Sequence, residues 1–199
     1  MRFALSGASR QASAVEAQIT YASTALGRRA RPHSAQRGHN MDNKPPASLA
    51  LDSLGIEHRI FLHEQPVTSF EQAASDRNQR PEQIVRSILF QIRPEEFLMV
   101  LMAGPAQIDW KSLRKYVGRS RIRMATEEEV LDVTGYRVGT VSPFGMKNQI
   151  QVLIDASVLK EEEISIGSGV RNMAIIMQSA DLRKVFATSE VVSLAENGT

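Results

Sequence analysis

The stretch GYRVGTVSPFG, from Gly135 to Gly145, holds three glycines and one proline within eleven residues. Arg137 is its single charged side chain, so the glycines indicate that the backbone could take part in any chemistry here. Glycines allow an unusual backbone path that leaves several N–H groups facing a ligand. The alternative interpretation is a tight corner of a sheet that binds no ligand.

Other common catalytic and metal-binding patterns are missing from the sequence. The chain has no cysteine, which excludes disulfides, thiolate nucleophiles and cysteine-ligated metals. Its four histidines show no metal-ligand spacing, and no HExxH, GxSxG or P-loop motif occurs. The two EEE runs, at 127–129 and 161–163, are typical of a helix first turn and of a solvent-exposed strand entry. We therefore predict a site with no metal ion and no cofactor.

Charge is distributed unevenly along the 199 residues. Residues 1–40 contain six arginines and one acidic residue, Glu16, which leaves 18 of the 24 basic and 21 of the 22 acidic residues for the rest. This Arg- and Ser-rich segment is either an organelle transit peptide or an extension upstream of a true start at Met41, and the second interpretation is favoured. We predict disorder over residues 1–40 and one domain over residues 41–199. No apolar run approaches the roughly 18 residues of a transmembrane helix.

From Met41 onward, the sequence predicts alternating short helices and strands. Thr126 and Glu129 form a capping box for the helix EEEVLDVT, and Asp109 caps the helix WKSLRKYV. Six or seven strands among about five short helices predict a mixed α+β domain. Strand composition or alternation is found in HRIFL, VRSILFQI, FLMVLMAG, RSRIRMA, QIQVLIDA, EISIGSG and RNMAIIM.

Five segments follow one another in an order that resembles a known protein family. They are VRSILF, FLMVLMAGPAQIDWKSLRKYVG, TGYRVGTVSPFG, VLIDASV and IGSGVRN, within residues 45–187. This order is similar to that of the YbaK/prolyl-tRNA synthetase-associated domain family, whose members are editing deacylases that hydrolyse mischarged aminoacyl-tRNA. The resemblance implies a mixed sheet of six to seven strands, curled into a partial barrel with short helices packed around it.

The most specific part of the resemblance is the family motif GxxxP, which runs here from Gly139 to Pro143. In relatives, the backbone of this loop faces the aminoacyl ester and helps to hold its carbonyl and the terminal ribose. Backbone amides can stabilise the oxyanion that develops in the transition state, and the neighbouring ribose hydroxyl can help to place the water. The resemblance implies a catalytic role for Gly139, Ser142 and Pro143.

Arg86 departs from the family pattern, because relatives usually carry a lysine at this position. In a strand it shares a face with Ile88 and Phe90, so we expect it to point toward an apolar interior. A buried cation needs a partner, such as a ligand phosphate, a ribose oxygen or a carboxylate like Asp155. Arginine cannot lose its proton and act as a base, so Arg86 is expected to position the substrate. The alternative is a structural bridge between Arg86 and a carboxylate.

Further residues are expected beside the aminoacyl group. Phe70 matches an aromatic residue of the family's pocket and His63 could line the same site, although both could instead be structural. Ser87 stands where relatives often have a small hydroxyl residue. Cysteine-releasing relatives carry a serine and an aspartate where this chain has Gly167 and Ala174, which argues against cysteinyl-tRNA as the preferred substrate. The predicted substrate-binding residues are His63, Phe70, Ser87, Thr140, Val141, Asp155, Gly167 and Gly169.

Six basic residues lie within 13 positions of an otherwise mildly acidic body. Three of them share a helix face by their spacing, and three share a face of a predicted strand. Such a patch could contact the acceptor stem of tRNA, and the alternative is a solvated face without a partner. The residues are Lys111, Arg114, Lys115, Arg119, Arg121 and Arg123.

Two functions are compatible with the sequence. The first is a cytoplasmic trans-editing hydrolase that cleaves the aminoacyl ester at the acceptor end of mischarged tRNA. The second is a non-catalytic module of the same fold that binds aminoacyl-tRNA or an aminoacyl-tRNA synthetase. In the second case, hydrolysis is lost because Arg86 replaces the family lysine. Neither function involves a membrane partner.

Overall fold

The computed structural model describes residues 44–196. The leader predicted over residues 1–40 lies outside this range, as does the predicted start at Met41. Among the residues described, no helix has the combination of length and apolar character that crossing a membrane requires.

Short helices occupy the positions that the capping residues predict. The Asp109 carboxylate accepts a hydrogen bond from the N–H of Lys111 at 2.9 Å, and Thr126 and Glu129 form the predicted capping box. Two 3-10 helices cover Pro81–Gln83 and Ala156–Leu159. The α-helices are α1 (Pro46–Ser53), α2 (Phe70–Asp76), α3 (Trp110–Val117), α4 (Glu127–Thr134) and α5 (Ser179–Val185).

Eight strands alternate with these helices in the described part of the chain. Six of them coincide with predicted segments, β4 covers two residues of the predicted RSRIRMA, and the short strand at residues 191–192 was not predicted. The strands are β1 (His58–Leu62), β2 (Val85–Arg93), β3 (Glu96–Ala103), β4 (Arg123–Met124), β5 (Gln151–Asp155), β6 (Glu163–Gly167), β7 (Met173–Gln178) and β8 (Val191–Val192).

The strands form two sheets, which corrects the prediction of one sheet with six to seven strands. The smaller sheet has the antiparallel order β1-β7-β6. The larger has the order β4-β2-β3-β5-β8, and in it β5 runs parallel to both β3 and β8. Neither sheet closes into a barrel within residues 44–196. The α+β class is confirmed.

One backbone contact joins the two sheets. Ile84, immediately before β2, forms an isolated parallel bridge with Ser165 of β6. No ladder continues from this bridge, so β2 and β6 diverge. A pattern of apolar residues predicts each strand, but it does not specify where two strands stop pairing, and the single predicted sheet is therefore wrong.

The predicted strand over residues 119–125 is also wrong. Within that segment only Arg123–Met124 (β4) forms a strand, and it pairs with β2 at two positions. Gly118 ends α3 in the left-handed conformation with φ of 67°, and the chain from 119 to 122 has no partner strand. Alternation of side chains alone does not make a strand when no neighbour accepts its backbone hydrogen bonds. Arg119, Arg121 and Arg123 therefore do not share a strand face.

The central strand β3 is buried and separates two apolar cores. Met99 and Leu101 pack on one side, with α1 and the smaller sheet. Leu98 and Val100 pack on the other side, with α3. This alternation follows from the two-residue period of a strand. Because the first core contains residues from both sheets, apolar burial keeps the sheets together where their backbones do not pair.

Candidate functional site

A cavity of about 520 Å³ lies along the edge of β2, between the two sheets. It is mostly apolar, and its lining brings together residues from β2, α2, β6 and the loop after α4. Six of the predicted site residues line it, namely Phe70, Arg86, Ser87, Gly139, Val141 and Gly167. The other predicted catalytic and substrate-binding residues do not, namely His63, Thr140, Ser142, Pro143, Asp155 and Gly169.

The edge of β2 that faces the cavity has unpaired backbone groups. The carbonyl of Leu89 accepts from the N–H of Ala125 at 2.9 Å, on the side away from β3. Residues two apart in a strand direct their backbone groups to the same side, so the N–H and C=O of Ser87 also face this edge. Neither β4 nor β6 reaches them. The hydroxyl oxygen of Ser87 is buried as well and has no hydrogen-bond partner in the described structure.

Arg86 is half-buried and its guanidinium lies on the other face of β2. Its Nη2 donates to the carbonyl oxygen of Ala106, which packs against the second core. Its Nε is buried without a partner, and burial lowers the pKa of this side chain. The Asp155 carboxylate instead accepts from the N–H groups of Ser157 and Leu194. The bridge considered between Arg86 and Asp155 is therefore absent.

The loop from Gly135 to Gly145 is held by its own side chains. The Tyr136 hydroxyl donates to the carbonyl of Phe144 at 2.7 Å, and burial raises the pKa of Tyr136 to about 12, so the hydroxyl keeps its proton. The buried hydroxyl of Ser142 accepts from the N–H of Phe144 at 3.2 Å. These bonds give Ser142 a structural position inside the loop, while Pro143 lies against a separate groove near α5.

Three residues of this loop line the cavity, and none of their backbone N–H groups has an acceptor. Within residues 44–196, the N–H groups of Val138, Gly139 and Val141 make no hydrogen bond. Thr140, between them, donates its N–H to the carbonyl of Arg137 at 3.0 Å and accepts from the N–H of Gly169 at 2.9 Å. Gly139 has φ of 86°, and a Cβ there would meet no atom within 4 Å. The loop thus combines a fixed middle with open donors on either side.

Gly167 allows the loop to approach the end of β6. A Cβ at this position would lie 2.6 Å from the carbonyl oxygen of Thr140 and still closer to that of Val141. No real side chain tolerates such a contact, so any residue larger than glycine would push the loop away. The packing of the loop against β6 therefore requires glycine at position 167, independently of the predicted contact with substrate.

His63 lies behind the cavity and contacts a residue that the sequence did not single out. Its Nε2 accepts from the guanidinium of Arg77, which lines the cavity. Its Nδ1 is 2.8 Å from the carboxylate of Asp76. Sequence spacing contains no signal for this cluster, because His63 and Arg77 lie in different elements.

The predicted basic patch is exposed and leads to the cavity. Arg123 differs from the other five because its charge is paired. Its guanidinium donates two hydrogen bonds to the carboxylate of Glu129, at 2.7 and 2.6 Å. This pairing lowers the pKa of Glu129 to about 2. The segment carrying Arg119 and Arg121 continues directly into residues 124 and 125, which line the cavity. Five cations form no ion pair in the part of the chain described, namely Lys111, Arg114, Lys115, Arg119 and Arg121.

Comparison with known proteins identifies relatives over most of the chain. Residues 64–185 match the family model of the aminoacyl-tRNA editing domain. The uncharacterized protein YwhH of Bacillus subtilis (strain 168) is 29% identical over 150 residues, which are 72% of this chain and 94% of YwhH. The proline–tRNA ligase of Aquifex aeolicus (strain VF5) is 27% identical over 142 residues. These are 68% of this chain but 23% of the ligase, so the match covers less than a quarter of that enzyme.

A solved structure shares the fold. It is the crystal structure of a candidate trans-editing enzyme for prolyl tRNA synthetase, with a TM-score of 0.69 and 23% sequence identity. The superposition covers 76% of this chain and 96% of that one.

We predict that Gly167→Ala lowers the free energy of unfolding by about 1–3 kcal/mol, because the new methyl group overpacks the contact with the loop. Thermal unfolding measures the loss, and amide chemical shifts of Thr140 and Val141 report the displaced loop. Gly55→Ala is the control, since a Cβ there meets nothing within 4 Å. It strains only its own positive φ and should leave both loop shifts in place. Unchanged stability and unchanged loop shifts in Gly167→Ala would contradict the close approach.

Proposed function

The chain belongs to the aminoacyl-tRNA editing domain family, and from this premise we propose that it hydrolyses the ester of tRNA charged with the wrong amino acid. It acts in trans, as a single editing domain over residues 41–199, in the cytoplasm. The observation that carries the proposal is the set of unpartnered polar groups around the cavity. Those groups are the hydroxyl of Ser87 and the N–H groups of Gly139 and Val141.

The buried Ser87 hydroxyl needs a partner that a substrate can supply, and the loop N–H groups are donors that a substrate can reach. Buried polar atoms in folded proteins almost always have a hydrogen-bond partner, and an unpaired one costs about 1–3 kcal/mol. Three buried side-chain atoms lack a partner among residues 44–196, and one of them, Oγ of Ser87, lies on the face of β2 that lines the cavity. An aminoacyl ester with its terminal ribose offers carbonyl and hydroxyl oxygens, which are acceptors that match these donors.

The reaction follows from backbone donors in the loop. In the proposal, a water molecule attacks the ester carbonyl, and the N–H groups of Gly139 and Val141 donate to the oxyanion that forms. The bond between the carbonyl carbon and the ribose oxygen then breaks, and a proton from the water passes to that oxygen. The products are the free amino acid and a tRNA with its terminal hydroxyl restored. The second ribose hydroxyl helps to place the water, because no Asp, Glu or His is among the described residues that line the cavity.

Arg86 contributes charge and position in this proposal. Its guanidinium is anchored by the carbonyl of Ala106, and arginine stays protonated at neutral pH. A fixed positive charge beside the cavity favours the developing oxyanion and the phosphate of the terminal nucleotide. Proton abstraction is left to the substrate's own hydroxyl and to solvent.

The relatives support a tRNA for proline as the tRNA that carries the ester. The matched segment of the Aquifex aeolicus protein belongs to a proline–tRNA ligase, and the structure with the same fold is described as acting for prolyl tRNA synthetase. We therefore propose that this chain clears wrong amino acids from tRNA for proline. The basic segment at residues 111–121 contacts the acceptor stem and directs its end toward the cavity.

A second function is favoured by one observation, the arginine at position 86. Because arginine cannot act as a base and here donates to Ala106, the domain could bind aminoacyl-tRNA or a synthetase without hydrolysis. In that case the wild-type protein binds charged tRNA but releases no amino acid from any mischarged species.

We predict that Gly139→Val abolishes deacylation of mischarged tRNA, because the branched side chain enters open space beside the loop donors. Losing one oxyanion donor typically costs about 100- to 1000-fold in rate. The control is Gly55→Val, which also replaces a glycine at positive φ with open space around it, but outside the cavity and the basic segment. That variant should lose stability to a similar extent and keep its activity. Hydrolysis at the wild-type rate in Gly139→Val would show that the loop is not the catalytic element.

We predict that Arg86→Lys retains or raises deacylation, because the amine keeps the charge and donates hydrogen bonds. Arg86→Ala should lose activity through impaired positioning. Release of radiolabelled amino acid from mischarged tRNA measures both variants. The binding module is indicated instead if wild type releases nothing above background while Arg86→Ala still weakens tRNA binding. If only Arg86→Lys hydrolyses mischarged tRNA, the fold supports catalysis and the arginine prevents it in the wild-type protein.

We predict that Arg121→Glu weakens tRNA binding and reduces the slope of log affinity against log salt by about 1, because a phosphate contact is lost. Lys160→Glu is the control, since it makes the same charge change at an exposed position outside the patch. Filter binding across a salt series measures both. If the two variants have the same tRNA affinity and the same salt dependence, the patch is a solvated face without a partner.

A further inference from the structure

A chain of hydrogen bonds crosses from the back of the cavity to β6. The guanidinium of Arg77 donates through Nε and Nη2 to Nε2 of His63, both at 3.1 Å. It also donates through Nη1 to the hydroxyl of Ser165 at 2.9 Å. On its far side, Nδ1 of His63 is 2.8 Å from the carboxylate of Asp76.

These contacts fix the proton on His63. Arginine has donors and no acceptor, so Nε2 of His63 must be the unprotonated nitrogen that accepts from Arg77. Nδ1 therefore carries the proton and donates a hydrogen bond to the carboxylate of Asp76. His63 is only 4% exposed, and the neutral imidazole orients Arg77 in the way that a carboxylate orients a catalytic histidine.

Arg77 has donors left over for a ligand. A guanidinium has five N–H groups, and three are used by His63 and Ser165. Two N–H groups, one on each Nη, have no acceptor within the described residues. Arg77 forms no ion pair there, although the charge of Asp76 acts on it from beyond His63. Burial lowers the pKa of Arg77 to about 10, so it stays charged at neutral pH.

Among the described residues that line the cavity, none offers Arg77 a carboxylate. Apart from Arg77 and Arg86, the described residues that line the cavity are uncharged, and none is Asp or Glu. The hydroxyls of Thr68 and Ser69 each form a hydrogen bond with Gln72, at the start of α2. A substrate group that reaches this end of the cavity therefore meets a cation with free donors.

We propose that Arg77 is a specificity-determining residue that selects aminoacyl groups whose side chain ends in a carboxylate. This inference rests on the proposed function and names the substrate class of the same site. A carboxylate accepts both free N–H groups in charge-assisted bonds, and His63 holds the guanidinium in place for it. An alanyl or other apolar side chain would leave the two donors unpaired, and a site built to form hydrogen bonds rejects such a substrate strongly.

The test uses one tRNA for proline, charged in turn with aspartate, asparagine and alanine. We expect wild type to cleave the aspartyl ester with a kcat/KM about 100-fold above that for the alanyl ester, with asparaginyl between them. Arg77→Met should remove this preference by lowering the aspartyl rate, and Arg77→Lys should restore part of it. Arg80→Met is the control, because Arg80 is exposed, pairs with Glu161 and lies outside the cavity. It should leave the ratio unchanged.

A wild-type preference for the alanyl ester, or an unchanged ratio in Arg77→Met, would overturn the inference. If Arg77→Met does not fold, Arg77→Lys supports the same comparison, because it keeps the charge and alters the donor geometry. Calorimetry with aspartyl and alanyl amides of 3′-amino-adenosine separates the inference from hydrolysis. If no ester is cleaved, tighter binding of the aspartyl amide that is lost in Arg77→Met supports the inference while the proposed function fails. Equal binding of the two amides overturns the inference.

Discussion

The arrangement of the site depends on where β2 stops pairing. Ile84 bridges to Ser165 at one end, β4 pairs only near residues 90 and 91 at the other, and the edge between them has no neighbour. A sheet edge presents unpaired N–H and C=O groups, which folded proteins normally cover. Here the two sheets share an apolar core instead of a continuous ladder, so the edge faces a cavity. The free backbone of Ser87 and its unpartnered hydroxyl follow from this divergence.

The glycine-rich loop is both a tight corner and a surface with free donors. Its middle is fixed by Tyr136, Ser142 and the bond from Gly169 to Thr140, and Gly167 lets it approach β6. The N–H groups of Gly139 and Val141 are left without acceptors beside the cavity. The tight corner is compatible with the proposed ligand, because a rigid corner holds unpaired amides in one geometry. In the proposed reaction, such preorganised donors would stabilise the oxyanion without reorganising.

Local features were predictable from the sequence, and long-range pairing was not. The ends of α3 and α4 follow from Asp109, Thr126 and the glycines after them, since capping depends on residues a few positions apart. The strand predicted over residues 119–125 failed because pairing with β2 extends over two positions only. The cluster of His63 and Arg77 joins separate elements, and no spacing in one sequence encodes it. Asp155 was one of the partners considered for Arg86, yet it accepts from the backbone of Leu194, whose segment was not predicted to return to β5.

The central claim is that the open edge of β2 and the loop amides together hold the aminoacyl ester. The most direct measurement is amide chemical-shift mapping of the isotopically labelled protein during titration with an aminoacyl amide of 3′-amino-adenosine, which cannot be hydrolysed. The account predicts saturable shifts at Ser87, Gly139 and Val141, with small changes at the groove near Pro143. Shifts confined to that groove, or to the region around His58, would contradict it.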